Sequence, residues 1–572
     1  MQRSKFPSAF YIANTMEIFE RLAWYGFFTV SSLYMTSPKS QGGLGFSDIE
    51  RGFLQGIIPF MLYLLPVITG ALADRYGYKR MFILSFTIMT PSYFLLGQVE
   101  SFWSFCFVFM AVALGAAIFK PLVVGTVGRV TDDSNRGLGF GIFYTMVNIG
   151  GFLGPLIAGY VRVIGWDMVF VMSALWIAVN FIPGIFFFKE PVEVEKSKNK
   201  SLATVLHEAQ QVLGNGRLAL LVIPIIILLM LSAKLELTLT TMLSLIIGWV
   251  ILNLVWDRIF THHDATKWYA SPIKVGNKAF LSYLLILTGF WTMYLQVFIT
   301  TPLYIRDFVD TQDAVIWLQQ YFPITVDFLA AVNKDLLVEF LNTQLASQQW
   351  LSEQGLQTIY TELVSLKVMV PQNDILVGFT MLANQTVTSA ELAQQWITKH
   401  RQINPEFIIN IDFAAIILFQ LFISHICKGR SPIPVIVAGT CIIAGSFLIG
   451  GLAHGVIMGG AIICSSIFLF AVGEMVASPK SHEYVAALAP KEHTAMYMGY
   501  FFVSMALGNL FAGLLSGWSY SYFAKELNSP MMLWGFFAGI GIISGGMLLL
   551  LNSYWLPKWR KENNQLLSLA TE

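Results

Sequence analysis

The sequence contains a series of apolar runs, each about as long as a bilayer is thick. A helix needs about 20 mostly apolar residues to cross the hydrocarbon core of a membrane. The runs of this length lie at 9–36, 50–73, 79–98, 101–129, 138–163, 167–188, 217–234, 236–257, 276–304, 406–427, 432–453, 457–479, 495–517 and 530–556. Lipid leaves no partner for free backbone groups, so these runs predict an all-α polytopic membrane protein with fourteen transmembrane helices.

Composition and charge exclude several classes of protein. The chain is 56% hydrophobic and 12% charged, whereas soluble domains carry about 25% charged residues. A net charge of +1 gives no reason to expect nucleic acid as a partner. The four cysteines show no disulfide or metal-ligand spacing, and no nucleophile elbow, phosphate loop or metal-ligand cluster is present. We therefore predict no enzyme activity, no metal and no cofactor.

Basic residues indicate how the chain is oriented. Lys and Arg concentrate in alternate connections, at 75–80, in the linker at 196–200, at 428–430 and in the tail at 558–561. Basic loops stay on the cytoplasmic side. This pattern predicts cytoplasmic N and C termini.

The segment 305–405 interrupts the series of apolar runs and falls on the opposite side. It carries ten acidic and five basic residues, and apolar side chains recur at helical spacing, as around 336–345. A connection this long is folded or functional. We predict an acidic, mostly helical extracytoplasmic insertion that could bind a protein partner.

Three charges lie inside the first apolar run. Glu17, Glu20 and Arg21 share one helix face, because residues three and four apart are neighbours on a helix. A charge at membrane depth costs about 2.5–3.5 kcal/mol on insertion scales. One guanidinium cannot fully neutralise two carboxylates, so one of them is a candidate proton carrier. The alternative is a structural ion-pair cluster.

The connection between the second and third runs carries a recognisable motif. Gly70-Ala-Leu-Ala-Asp74-Arg75-Tyr-Gly77-Tyr-Lys79-Arg80 resembles the cytoplasmic loop signature of the major facilitator superfamily. The resemblance implies two six-helix bundles that rock about a central site, here with two extra helices between them. It also implies that Asp74 and Arg75 belong to a cytoplasmic gate.

Further motifs resemble one family within that superfamily, the proton-dependent oligopeptide transporters. The first is Glu17-x-x-Glu20-Arg21-x-x-x-Tyr25-Gly26. In chain order the others are Gly115-x-x-x-Phe119-Lys120-Pro121, Phe143-Tyr144-x-x-Val147-Asn148-x-Gly150, Phe290-Trp291 with Gln296, Asn404-Pro405, Glu474-x-x-x-Ser478-Pro479, Ala489-Pro490 and Met498-Gly499. Each motif is short, and their order along the chain makes the set specific.

The resemblance implies roles for particular residues. It implies a proton-sensitive bridge made of Glu17, Glu20, Arg21 and Lys120. It implies a substrate pocket made of Tyr25, Tyr63, Lys120, Tyr144, Asn148, Trp291, Gln296, Asn404, Glu474 and Ser478. Glu474 would hold the amino group of the substrate and Lys120 its carboxylate. Packing between helices is the alternative role for the aromatic residues.

Two positions depart from the family pattern. Peptide-transporting members usually carry an arginine where this chain has Phe28, and an acid where it has Leu295. Losing both partners of a pair leaves no buried charge alone. A hydrophobic contact between Phe28 and Leu295 is therefore predicted to replace the extracellular gate.

Asp412 is an isolated acid inside the tenth run. It is costly there unless it is paired or protonated. One hypothesis is that Asp412 takes over proton or substrate work from the missing acid at position 295. The alternative is a carboxyl group satisfied by nearby hydroxyls.

The sequence as a whole predicts a proton-coupled symporter that imports di- or tripeptides, or peptide-like molecules, across a bacterial inner membrane. The proton gradient would drive it without a cofactor. Alternatives are a symporter for a non-peptide metabolite and a transport-inactive receptor that uses its external domain. The predicted parts are the N-terminal bundle 1–188, the linker and extra helices 189–275, the helix 276–304, the insertion 305–405, the remaining bundle 406–556 and the tail 557–572.

Overall fold

The computed structural model describes residues 6–131, 135–190, 214–232, 239–261, 267–488 and 494–558. Within these ranges the chain is built of helices, and its only β-structure is three isolated bridges. The predicted all-α fold is confirmed. The central part of the linker, 191–213, and the tail beyond 558 lie outside the described residues.

The N-terminal half forms one bundle. Its helices are α1 (Ser8–Thr36), α2 (Asp48–Leu64), α3 (Pro66–Tyr76), α4 (Tyr78–Leu96), α5 (Phe102–Arg129), α6 (Arg136–Ile164) and α7 (Trp166–Val179). The start of α2 is fixed by a capping box, in which Ser47 and Glu50 bond each other's backbone N–H groups. Between α3 and α4, Gly77 has φ +91°, a backbone conformation that glycine adopts without strain.

Two helices separate the bundles. They are α8 (Gly216–Ser232) and α9 (Leu239–Ile259), and they pack against each other. The C-terminal half begins with α10 (Lys278–Tyr294), α11 (Gln296–Ile299) and α12 (Thr301–Phe308). After the insertion it continues with α19 (Pro405–Ile409), α20 (Ile411–Cys427), α21 (Pro432–Gly451), α22 (Gly459–Leu488), α23 (Thr494–Ser519) and α24 (Pro530–Leu550).

Eleven helices of the described chain are long and apolar enough to cross a membrane. The three other predicted spans coincide with α1, α4 and α8. Charges explain two of the differences, because α1 holds Glu17, Glu20 and Arg21 and α4 begins with Lys79 and Arg80. α8 is described over 17 residues, Gly216–Ser232, which is shorter than a full span, and the residues that follow it lie outside the described ranges. The number fourteen therefore stays a prediction.

The bundles meet most closely where α2 crosses α23. In α2, Gly52 and Gly56 face Gly513 and Gly517 of α23. A Cβ atom built on Gly513 would lie 2.2 Å from the backbone nitrogen of Gly56 and 2.4 Å from the carbonyl oxygen of Gly52. Glycines four residues apart let helix backbones touch in this way. This crossing joins the N-terminal to the C-terminal bundle.

Helices also fill the insertion. They are α13 (Gln312–Tyr321), α14 (Pro323–Leu329), α15 (Lys334–Ser347), α16 (Glu353–Ser365), α17 (Gln372–Ala383) and α18 (Ser389–His400). Leu337, Leu363, Phe379 and Trp396 belong to a buried core that is separate from the core of the bundles. The insertion therefore has its own core, while its place outside the membrane stays a prediction.

Candidate functional site

The three charges of α1 lie together in the interior. Glu17, Glu20 and Arg21 are 2%, 0% and 3% exposed. Arg21 Nε lies 3.3 Å from Glu17 Oε1, and the same guanidinium is paired with Glu20. Gly150 of α6 makes room for this arrangement, since a Cβ there would lie 2.4 Å from the Arg21 Cβ. The predicted cluster therefore forms within one helix and carries a formal charge of −1.

Lys120 lies apart from this cluster. Its ammonium nitrogen is 4.0 Å from the centroid of the Tyr63 ring and 5.9 Å from that of Phe502, so a cation–π contact stabilises it. Among the ion pairs of the described residues Lys120 makes none, although it is within electrostatic range of Glu17. The predicted bridge is therefore open in this conformation, with both acids held by Arg21.

A second acidic centre lies in the C-terminal bundle. Asp412 of α20 is 0% exposed, and neither of its carboxylate oxygens finds a hydrogen-bond partner within the described ranges. It lies within electrostatic range of Glu474 of α22. Within the described residues, therefore, no nearby hydroxyl satisfies Asp412. Two adjacent buried carboxyl groups cannot both ionise cheaply.

Tyr25 lies between the two acidic centres. The Arg21 guanidinium is 5.6 Å from the centroid of its ring, and Phe413 of α20 packs edge-on against it at 5.2 Å. Tyr25 is also within electrostatic range of Glu474. The tyrosine thus bridges the bundles at the level where the charges concentrate.

One face of α6 shows where the bundles separate. Tyr144, Asn148 and Gly151 share this face, because they are spaced by four and three residues. At Gly151 the face touches α20, where a Cβ would lie 2.6 Å from the Phe413 ring. Two turns earlier Tyr144 is 52% exposed. The bundles therefore touch from Gly151 toward the Ile164 end of α6, and they separate toward its Arg136 end.

Several predicted pocket residues are buried in this conformation. Gln296 is 0% exposed, and its amide binds Thr292, Thr300 and the carbonyl oxygen of Ala512, all within the C-terminal bundle. Trp291 is 3% exposed and Asn404 is 0% exposed. Ser478 keeps partial exposure on α22. The buried residues could reach a substrate only after a rearrangement, so their roles stay predictions.

The predicted gate residues behave differently from the expectation. Phe28 stacks on Trp24 at 5.1 Å, whereas Leu295 packs with Ile299 and Ala512 in another hydrophobic cluster. The predicted contact between Phe28 and Leu295 is therefore wrong for this conformation. The two side chains belong to different bundles, and each packs within its own bundle.

The motif residues between α3 and α4 are only partly described. The Asp74 side chain lies outside the described residues, and Arg75 is exposed against the Tyr76 ring. The connection is held by Glu190, which accepts a 2.8 Å hydrogen bond from the backbone N–H of Lys79. The gating roles of Asp74 and Arg75 stay predictions. The motif Ala489-Pro490 also lies outside the described residues.

A buried polar network joins the two bundles near the C-terminal end of α1. Arg51 of α2 is 0% exposed and binds Ser516 of α23 at 3.0 Å. Ser32 of α1 donates to the carbonyl oxygen of Ile299 at 2.8 Å, and Gln55 joins Arg51 to Ser32. No pattern in the sequence predicts this network, because an arginine near the end of a span usually extends to the membrane surface.

Known proteins resemble this chain in sequence and fold. The family model of the Major Facilitator Superfamily matches residues 16–324. A peptide transporter of Yersinia enterocolitica is 23% identical over 339 residues, which are 55% of this chain and 64% of that protein. A di-/tripeptide transporter of Lactococcus lactis is 28% identical over 165 residues, or 28% of this chain and 33% of its own length.

The fold is also shared with a solved structure. A mutant of the peptide transporter POT in complex with alafosfalin superposes with a TM-score of 0.59 at 18% identity, over 96% of each chain. At this identity the match shows a common fold. The sequence matches to these two curated relatives span 64% and 33% of their lengths.

Proposed function

The chain belongs to the major facilitator superfamily, and we propose that it is a proton-coupled symporter that imports di- or tripeptides by alternating access. It is an integral membrane protein, and its motifs and relatives carry the resemblance to the proton-dependent oligopeptide transporters. The observation that carries the proposal is the pair of buried acidic centres on either side of Tyr25. A passive membrane anchor would gain nothing from such costly groups.

The α1 cluster supplies one proton site. Glu17, Glu20 and Arg21 together carry a charge of −1, so binding a single proton makes the cluster neutral. A proton on one acid weakens its ion pair with Arg21 and frees part of the guanidinium. Loading and release of this proton would change the packing of α1 against α6, where Gly150 contacts Arg21.

The two ends of a peptide would bind opposite bundles. A peptide carries an ammonium and a carboxylate group, and both lose hydration in a pocket, so each needs a charged partner. Glu474 would hold the ammonium group. Lys120, which makes a cation–π contact with the Tyr63 ring, would hold the carboxylate. Tyr144, Asn148 and Ser478 keep exposed surface for the backbone and side chains of the substrate. Simultaneous contact with both bundles would favour closure around the peptide.

We place the protein in a bacterial inner membrane with both termini in the cytoplasm. Basic residues in alternate connections support this orientation, and the relatives described above are bacterial. The diverging Arg136 end of α6 then faces the cytoplasm, and the insertion 305–405 lies outside. No cofactor is required, because the proton gradient drives transport.

Counterflow in proteoliposomes tests the substrate. Vesicles loaded with an unlabelled dipeptide should take up the labelled dipeptide without any proton gradient, and tripeptides should compete. Glu474→Gln should abolish this exchange. The matched control is Glu483→Gln on the same helix, whose carboxylate is 54% exposed and paired with Lys480. Exchange of another amphoteric metabolite, but of no peptide, would establish the alternative substrate class that the apolar Phe28 and Leu295 favour.

Asp412→Asn is expected to reduce proton-driven accumulation of peptide about tenfold or more. The amide fills the same space but cannot take up a proton, so Glu474 loses its acidic neighbour. Counterflow should stay within about twofold, because exchange needs no net proton movement. The assay compares both activities in one batch of proteoliposomes.

The control for Asp412→Asn is Asp335→Asn, an exposed carboxylate of the insertion. If Asp412→Asn accumulated peptide as the unmodified protein does, Asp412 would have no part in proton coupling. Loss of both accumulation and counterflow would instead assign Asp412 to substrate binding.

A further inference from the structure

A buried ion pair joins the two bundles at the Ile164 end of α6. Arg162 of α6 donates to both carboxylate oxygens of Glu406 in α19, from Nε at 2.7 Å and from Nη2 at 2.9 Å. The two side chains are 7% and 0% exposed. Paired donors of this geometry make the stronger kind of ion pair. The pair lies at the opposite end of α6 from the exposed Tyr144.

Close packing fixes Glu406 in place. A Cβ on Gly159 would lie 2.7 Å from Glu406 Cγ, so the carboxylate fits against bare backbone of α6. Trp166 packs against the guanidinium, with its ring centroid 5.3 Å from the Arg162 guanidinium carbon. Bundles that separated here would leave both charges without a partner, which is unfavourable for buried groups.

The insertion closes over this ion pair. Phe328 of α14 stacks between Tyr160 of α6 at 5.5 Å and Phe407 of α19 at 5.1 Å. One aromatic side chain of the insertion is therefore held between the two bundles. Opening of the outer side would have to break at least one of these stacks.

Hydrogen bonds tie the insertion to the N-terminal bundle as well. Asn333 donates to the carbonyl oxygen of Val163 at 3.2 Å. Ser365 donates to Gln41 at 2.7 Å, and Gln41 donates to the carbonyl oxygen of Glu362 at 3.3 Å. Both ends of the insertion continue into the C-terminal bundle, so these bonds cross from one bundle to the other.

Lys367 is a further basic side chain near the ion pair. Burial, and then the nearby charge of Arg162, lower the pKa of Lys367 well below its usual value. Its side-chain nitrogen donates to the carbonyl oxygen of Ala331 at 3.1 Å, within the insertion. Arg162 is therefore the residue that binds Glu406 directly.

We propose that Arg162 and Glu406 form the outer gate of the transporter, and that the insertion is a latch that holds this gate closed through Phe328. The gate takes the place of the polar pair that is missing at Phe28 and Leu295. This inference rests on the alternating access of the proposed function. Each transport cycle would break the ion pair and release Phe328 from one bundle.

Labelling from outside the cell tests the gate without any substrate. The reporter is Ser32→Cys, a nearly isosteric change at a position that is 0% exposed and lies at the bundle interface. A membrane-impermeant maleimide is added to intact cells, and the protein without Ser32→Cys serves as the blank for the native cysteines. Labelling of the reporter requires the outer side to open.

Glu406→Gln and Phe328→Ala are each expected to raise the labelling rate about tenfold or more, because each removes a tie between the bundles. The control is Asp327→Asn, a carboxylate of the insertion that is 87% exposed and touches neither bundle through its ion pair with Arg401. It should label at the parent rate. Gel filtration of the purified variants reports whether each has folded.

Parent-like labelling in folded Phe328→Ala protein would overturn the latch, and the same result in folded Glu406→Gln protein would overturn the gate. An equal rise in Asp327→Asn would also contradict the proposal. Should Glu406→Gln fail to fold, Arg162→Lys, which keeps the charge but cannot donate to both carboxylate oxygens in the same way, tests the gate in its place. Labelling reports outer opening only, so its outcome is separate from whether peptides are the substrate.

Discussion

Glu20→Gln is expected to abolish accumulation of peptide against a gradient while leaving counterflow intact. With glutamine at position 20 the α1 cluster is neutral without a proton, so this cluster no longer takes up or releases a proton during the cycle. A membrane potential of 100 mV contributes about 2.3 kcal/mol per charge, which supports about 50-fold accumulation of a zwitterionic peptide carried with one proton. The variant should only equalise the peptide concentrations on the two sides of the membrane. Uptake of labelled dipeptide into proteoliposomes measures both the accumulation ratio and the rate of counterflow.

The control for this experiment is Glu100→Gln. Its carboxylate is 80% exposed and lies 3.8 Å from Lys39, outside the cluster. It should accumulate peptide like the unmodified protein. Retention of gradient-driven accumulation by Glu20→Gln would contradict the assignment of the cluster as a proton site and would favour a structural ion-pair role.

Gly513→Val is the second change with a large expected effect. The new Cβ would meet the backbone of Gly56 and Gly52 rather than flexible side chains, so α2 and α23 must move apart. Overpacking of a tight contact costs about 1–3 kcal/mol. We expect at least about tenfold slower counterflow and a lower midpoint of thermal unfolding, measured by tryptophan fluorescence.

Gly539→Val provides the matched control. Gly539 lies in α24 of the same bundle, and a Cβ there meets no atom within 4 Å. This variant should transport and unfold like the parent. Normal counterflow by Gly513→Val would show that the helices separate at this crossing without loss of function, and the crossing would then not hold the bundles together.

The charged cluster of α1 could be predicted because it depends on local geometry. Glu17, Glu20 and Arg21 are neighbours on any helix, and only that helix is needed to bring them together. The fold followed from the apolar runs for a similar reason, since lipid permits few backbone arrangements. Motif order along the chain then indicated the family.

Contacts between the bundles could not be predicted, because they depend on how two rigid bodies meet. Arg162 and Glu406 are 244 residues apart, and their pairing leaves no local pattern. Phe28 and Leu295 were paired by analogy with a gate, but each found apolar neighbours in its own bundle. The proximity of Asp412 to Glu474 depends on the packing of α20 against α22.

Proton movement that depends on peptide tests the central claim most directly. Purified protein is placed in liposomes that contain a pH-sensitive dye and have a negative potential inside, and single di- and tripeptides are then added outside. We predict internal acidification that requires peptide and is absent with Glu20→Gln. Uptake of labelled peptide by folded protein without any acidification would contradict proton-coupled symport.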